Sequence, residues 1–76
     1  MRYRIEYLIE ASEQNSVCHT RSLKHSNLIV AQFQAHAWSA RPRTEHGAGG
    51  FQIRDLADNG RIVALETFQG PVQRIH

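Results

Sequence analysis

Cysteine, lysine and long apolar runs are scarce in this 76-residue chain, and each shortage excludes a class of protein. Its one cysteine, Cys18, cannot form an internal disulfide, whereas a secreted domain of this length normally needs several. No stretch approaches the ~20 apolar residues of a membrane-spanning helix. Residues 1–10 interleave charges with apolar side chains and lack the apolar block of a signal peptide. An intracellular, cytoplasmic protein with no membrane association is expected. Lysine occurs only at Lys24, and the other eight of the nine cations are arginines. The net charge of +2 is small for a dedicated nucleic-acid-binding domain.

The residue patterns that catalysis requires are also missing. The five histidines, His19, His25, His36, His46 and His76, include no pair at the i, i+4 spacing of a helical zinc site, and Cys18 has no CxxC partner. On one helix His25 and His36 would stand ~16 Å apart, too far to share an ion. Nothing marks a base or an oxyanion site beside Cys18, so packing in or beside the sheet is its expected role. Glu6 and Glu10 would share a strand face as paired carboxylates, but Arg2 and Arg4 lie there too, and a solvated mixed-charge surface accounts for all four. The glycine-rich residues 46–50 lack the Lys-Ser/Thr of a phosphate-binding loop and precede a strand, so they read as a connector. No enzyme, metal or cofactor is expected.

What is present suits one small α+β domain spanning residues 1–76. Residues 2–10 alternate, with Tyr3, Ile5, Tyr7 and Ile9 on one face, as in a half-buried strand. Residues 12–16 are turn-like and 17–20 suit a short return strand. Residues 22–40 are predicted to form one helix: Ile29, Val30, Phe33, Ala37 and Ala40 recur at helical spacing, with Ser22 or Ser26 as N-cap. A strand is the competing reading for 31–37, and the length and alanine content decide for helix. Arg41-Pro42-Arg43 should end that helix, because the residue before proline avoids the α region. Residues 44–50 then form a loop, and 51–56 and 61–68 form strands joined through Asn59-Gly60, a strong hairpin signal. Gly70-Pro71 breaks the last strand, and 72–75 form an edge strand or a tail. The expected build is an antiparallel sheet of three to five strands, in β-(β)-α-β-β order, with one helix on one face. Tyr3, Ile5, Tyr7 and Ile9 would meet Ile29, Val30, Phe33 and Ala37. The second sheet face would be open to water or a partner.

The surface that best suits binding lies around the helix. Trp38 with Arg41 and Arg43 joins an aromatic to two cations, the composition of a protein-interface hot spot. Arg21 and Lys24 are expected at the other helix end. The competing role for Trp38 is to cap the small core.

The layout resembles that of small phage-encoded anti-CRISPR proteins that inhibit type I surveillance complexes. The pieces that carry the resemblance are the strand over residues 3–9, Arg21-Ser22-Leu23, the helix to Ala40, and the segment from Ile53 through Asn59-Gly60 to Ala64-Leu65. The resemblance implies a non-catalytic inhibitor that docks on Cas proteins of a host complex and blocks target DNA, with Arg21 and Lys24 standing where the family has helix cations. Two other readings stay open: a nucleic-acid-binding accessory protein using Arg2, Arg4, Arg41, Arg43 and Arg54, and a homodimeric structural or regulatory module.

Overall fold

The alternation of Tyr3, Ile5 and Tyr7 with Arg4 and Glu6 gives a strand with one apolar face, and that strand becomes the centre of the sheet. In a computed structural model, which describes residues 2–9 and 17–68, β1 (Tyr3–Leu8) lies between β2 (Val17–Leu23) and β3 (Gly50–Asp55), and β4 (Arg61–Thr67) pairs along the far side of β3. All three pairings are antiparallel, in the order β2-β1-β3-β4. Two helices, α1 (Leu28–Ala37) and α2 (Ala40–His46), connect β2 to β3. The protein is thus the expected α+β fold built on an antiparallel sheet. The turn expected at 12–16, Glu10, the Gly70-Pro71 break and the strand or tail at 72–75 lie outside the described residues.

The core sits between α1 and one sheet face, where Tyr3, Ile5, Tyr7, Phe51 and Ile53 meet Ala31 and Ala35. Tyr7 stands opposite Phe51, and Ile5 opposite Ile53, so both central strands present their apolar sets to the helix. The tyrosines are long enough to reach the helix backbone. The Tyr7 hydroxyl donates to the Ala35 carbonyl, and the Tyr3 hydroxyl lies 3.5 Å from the Ser26 carbonyl. Ala35 belongs to the last turn of α1, whose carbonyls lack intrahelical partners. The Tyr7 bond therefore satisfies two buried polar groups together.

This close seating corrects the expected helix face. Only small side chains fit between the tyrosines and the helix, so α1 turns Ala31 and Ala35 inward. Ile29 and Phe33 point outward and are 74% and 76% exposed. Ala37 is also exposed, and Ile9, past the end of β1, is half-exposed, whereas Leu8 is buried.

The single long helix is corrected as well. β2 runs on to Leu23 in register with Tyr3, so Ser22 is a strand residue. Neither Ser22 nor Ser26 caps α1; the cap is Asn27, whose Oδ1 accepts from the Ile29 and Val30 amides. The helix stops at Ala37, before Arg41-Pro42-Arg43, and the chain turns at Trp38 and Ser39 into a second helix. Pro42 occupies the first turn of α2, where its missing N–H costs no intrahelical bond. Residues 44–46, expected as loop, complete α2, and Gly47 ends it with φ 70°. The Asn59-Gly60 hairpin has positive φ at both residues, 58° and 73°, after one short 3-10 turn at Leu56–Asp58.

The second sheet face is polar and largely self-satisfied. Arg4 and Arg54 lie directly opposite each other on β1 and β3. Glu6, 6% exposed, offsets that like-charge pair, accepting from Arg4 at 3.1 Å, Arg54 at 2.9 Å and Gln52 at 2.6 Å. At the strand end Arg2 grips Asp55 with two bonds of 2.8 and 3.0 Å. Burial pushes the Glu6 carboxyl up, but the Gln52 and Arg54 hydrogen bonds and the two arginine charges outweigh it and hold it below its ordinary value. The Arg2 hydrogen bond holds the Asp55 carboxyl low likewise.

Two outcomes follow from this packing. Phe51→Ala should cost about 3–5 kcal/mol, a large share of a small domain's stability, while Phe33→Ala should change it by less than about 0.5 kcal/mol; urea unfolding of both variants checks this. Because the folded state depresses the Glu6 and Asp55 carboxyls, their stabilisation is complete above the ordinary carboxylate range and is lost as pH falls through it towards the folded values. Thermal melts between neutral and acid pH should show that loss, with a shallower acid limb in Glu6→Gln.

Candidate functional site

The break between α1 and α2 creates a corner that a single helix would lack. Ser39, buried at the break, donates its hydroxyl to the His36 carbonyl at 2.8 Å and fixes the turn. α2 then packs against β2, with Pro42 fully buried. On β2, His19, Arg21 and Leu23 stand opposite Tyr7, Ile5 and Tyr3 and so share the helix side of the sheet. From there Arg21 reaches the end of α1, where its guanidinium lies 4.1 Å from the centroid of the Trp38 ring. Together with His19, Ala37, Ala40, Arg41 and Pro42 these two side chains line an open groove of about 440 Å³.

A guanidinium stacked on an indole keeps its edge N–H groups available for in-plane hydrogen bonds. Among the described residues no carboxylate pairs with Arg21. Arg41, on the groove wall, is 82% exposed at its side chain and holds Glu45 at 3.1 Å. His19 lines the groove, stacked on His46 behind it with ring centroids 5.8 Å apart and tilted against Tyr7 at 6.1 Å. The groove is thus cationic at its rim and aromatic along its sides. Burial pushes the Tyr7 hydroxyl up to about 12 against the opposing pull of Arg21, which keeps it a neutral donor. Burial also pushes the Cys18 thiol up, opposite to the shift a nucleophilic cysteine needs.

The expected binding residues are therefore divided. Arg21, Trp38 and Arg41 converge on the groove. Arg43 turns to the β4 side, with its guanidinium 4.4 Å from the centroid of the Phe68 ring. Lys24 is exposed between β2 and α1 and lines no part of the groove. Arg21 and Lys24 do not open the helix as expected. On one continuous helix Arg21 and Trp38 would stand ~25 Å apart; the extension of β2 and its antiparallel return beneath α1 bring them into contact. His19, His46 and Pro42 were missed because their roles come from the packing of α2 on β2, and no local pattern signals a contact between residues so far apart. Trp38 packs partly against the core, the competing expectation, and also walls the groove.

Fold and site together define an α+β protein with helices on one face of a four-stranded antiparallel sheet and a basic, aromatic-walled groove at the helix corner. No protein-family model matches the chain, and searches of the curated proteins and of the solved structures find no match either. Among the described residues no group of three or more His, Cys, Asp or Glu side chains could hold a metal ion, and no helix is long and apolar enough to cross a membrane.

If the Arg21–Trp38 stack is an energetic contact, a double-mutant cycle of Arg21→Ala and Trp38→Ala should give a coupling of about 0.5–1 kcal/mol in urea unfolding. Trp38→Ala alone should cost about 2 kcal/mol, below the value for a fully buried aromatic. A coupling of zero would mean that the two side chains are merely adjacent.

Proposed function

We propose that this protein is a non-catalytic binding protein that docks its corner groove on an acidic surface of a host protein complex. The observation that carries this reading is Arg21, stacked on Trp38 with no carboxylate partner among the described residues, at the rim of a groove shared with Arg41. An exposed Arg oriented by stacking on a Trp joins two of the residue types most enriched in interface hot spots. The specific role we assign is that of the small anti-CRISPR proteins, inhibition of a type I surveillance complex by occupying the site of target DNA. Its support is the strand–strand–helix–strand–strand order, with the helical segment split in two.

The arrangement of the arginines favours a protein partner over a nucleic acid. A phosphate-tracking surface needs several free cations along one groove. Here Arg2, Arg4, Arg41, Arg54 and Arg61 each hold a carboxylate, and Arg4 and Arg54 lie on the sheet face opposite the helices.

A gel-shift tests the proposal. A type I surveillance complex is offered labelled target duplex with the protein, with Arg21→Glu or without either, and one lane holds protein and DNA alone. Loss of the target-bound band with wild type, needing about thirty-fold more Arg21→Glu for the same loss, is the expected result for a hot-spot arginine worth ~2 kcal/mol. A shift in the protein-only lane would replace this reading with direct nucleic-acid binding. An unchanged band would remove the surveillance complex as the partner.

A further inference from the structure

The outward side of α1 carries large apolar residues that the core does not cover. Ile29, Phe33 and Ala37 follow one another at i, i+4 and i+8, a line ~12 Å long, and the first two are three-quarters exposed. Together they offer on the order of 300 Å² of apolar surface, the scale of a functional patch. No Asp, Glu, Lys or Arg occurs anywhere in α1. Cations bracket the helix instead. Lys24 precedes its N-terminus, and Arg21, with no carboxylate partner among the described residues, stands at its C-terminal corner beside the Glu45-paired Arg41. The stripe runs without interruption into the groove, because Ala37, its last residue, is also part of the groove wall.

We infer that this stripe and the Trp38 groove form one continuous docking surface for an acidic amphipathic helix of the partner protein. The inference rests on the groove being a binding site, as proposed above, and adds what binds there. The stripe alone falls well short of the roughly 800 Å² that each partner buries in a stable complex, and the adjoining groove extends it. Charge selects the occupant. Pairing two copies of α1 in antiparallel fashion would set Arg21 against the second copy's Lys24, and parallel pairing would set like against like. A nucleic acid would bring charged phosphates to a stripe with no charge to receive them. A helix with an apolar ridge at i, i+4 spacing matches the stripe by ridge-and-groove packing, and carboxylates at its ends match the bracketing cations. The nearby acidic side chains do not compete, since Glu45 is held by Arg41 and Glu66 by Gln32 and His36 on the β4 flank.

Calorimetric titration of the full chain with synthetic amphipathic helical peptides tests this. One peptide carries leucines at i, i+4 spacing with flanking glutamates, and the second replaces every glutamate with lysine. The glutamate peptide should bind and the lysine peptide should not. Phe33→Glu and Arg21→Glu should each weaken binding about ten-fold or more, with the melting temperature of Phe33→Glu unchanged because the side chain is exposed. If Arg21→Glu abolishes binding while Phe33→Glu has no effect, the continuous surface is overturned and the groove stands alone as the site. If Phe33→Glu alone matters, the groove reading fails and the single surface fails with it. Equal binding of both peptides, or of neither, overturns the charge assignment. A sedimenting dimer that Phe33→Glu dissociates would show that the stripe binds a second copy. Competition by a duplex oligonucleotide would show that it binds nucleic acid.

Discussion

The hydrogen bond from Tyr7 to the Ala35 carbonyl sets the distance between helix and sheet, and most of the structure depends on that distance. A tyrosine standing upright on a central strand fills the core with its ring and meets the helix with its hydroxyl. That hydroxyl needs a partner once buried, and the last turn of a helix always has carbonyls to spare. Satisfying both groups draws α1 close to the sheet, leaving room for alanine alone between the tyrosines and the helix axis. The larger apolar residues of the helix must then face outward. The exposed Ile29–Phe33 stripe is thus a by-product of how the core is closed, and it becomes available for binding without weakening the core.

The same geometry builds the groove. A helix seated tightly over β1 and β3 stops at Ala37, and α2 then turns across β2. The Trp38 ring is left at the bend, half against the core and half against Arg21. Most of the other arginines are neutralised locally, by Asp55, Glu6, Glu45 and Asp58. A net charge of +2 therefore hides how the charge is placed: most arginines are matched locally, and at the helix corner Arg21 stands without a carboxylate among the described residues.

Strand alternation in β1, the pairing of the last two strands through Asn59-Gly60 and the α+β class were legible in the sequence, since each is a local pattern of period two or a pair of residues tolerant of positive φ. The presence of helix after β2 was legible too, as was the grouping of Trp38 with Arg41, whereas Arg21 was read at the opposite end of the helix. The face of the helix was not. Ile29, Val30, Phe33 and Ala37 have the spacing of a core-facing stripe, and Ala31 with Ala35 has it equally; hydrophobicity alone chooses the larger set. Nor was the end of the helix legible, because Asn27 is one of several capping residues in a polar run and the bend at Trp38 and Ser39 carries no proline or glycine.

By itself, then, the sequence determined which segments are strands, that the protein is α+β, and which residue types are at hand for binding. These depend on backbone preferences and on neighbours a few positions away. Tertiary structure alone decided that the tyrosines reach the helix, that the alanines face inward, and that Arg21 meets Trp38 across seventeen positions of chain. Those outcomes depend on the height of one packed layer above another, a distance set by side-chain length and by the need of buried polar groups for partners, and no local pattern encodes it.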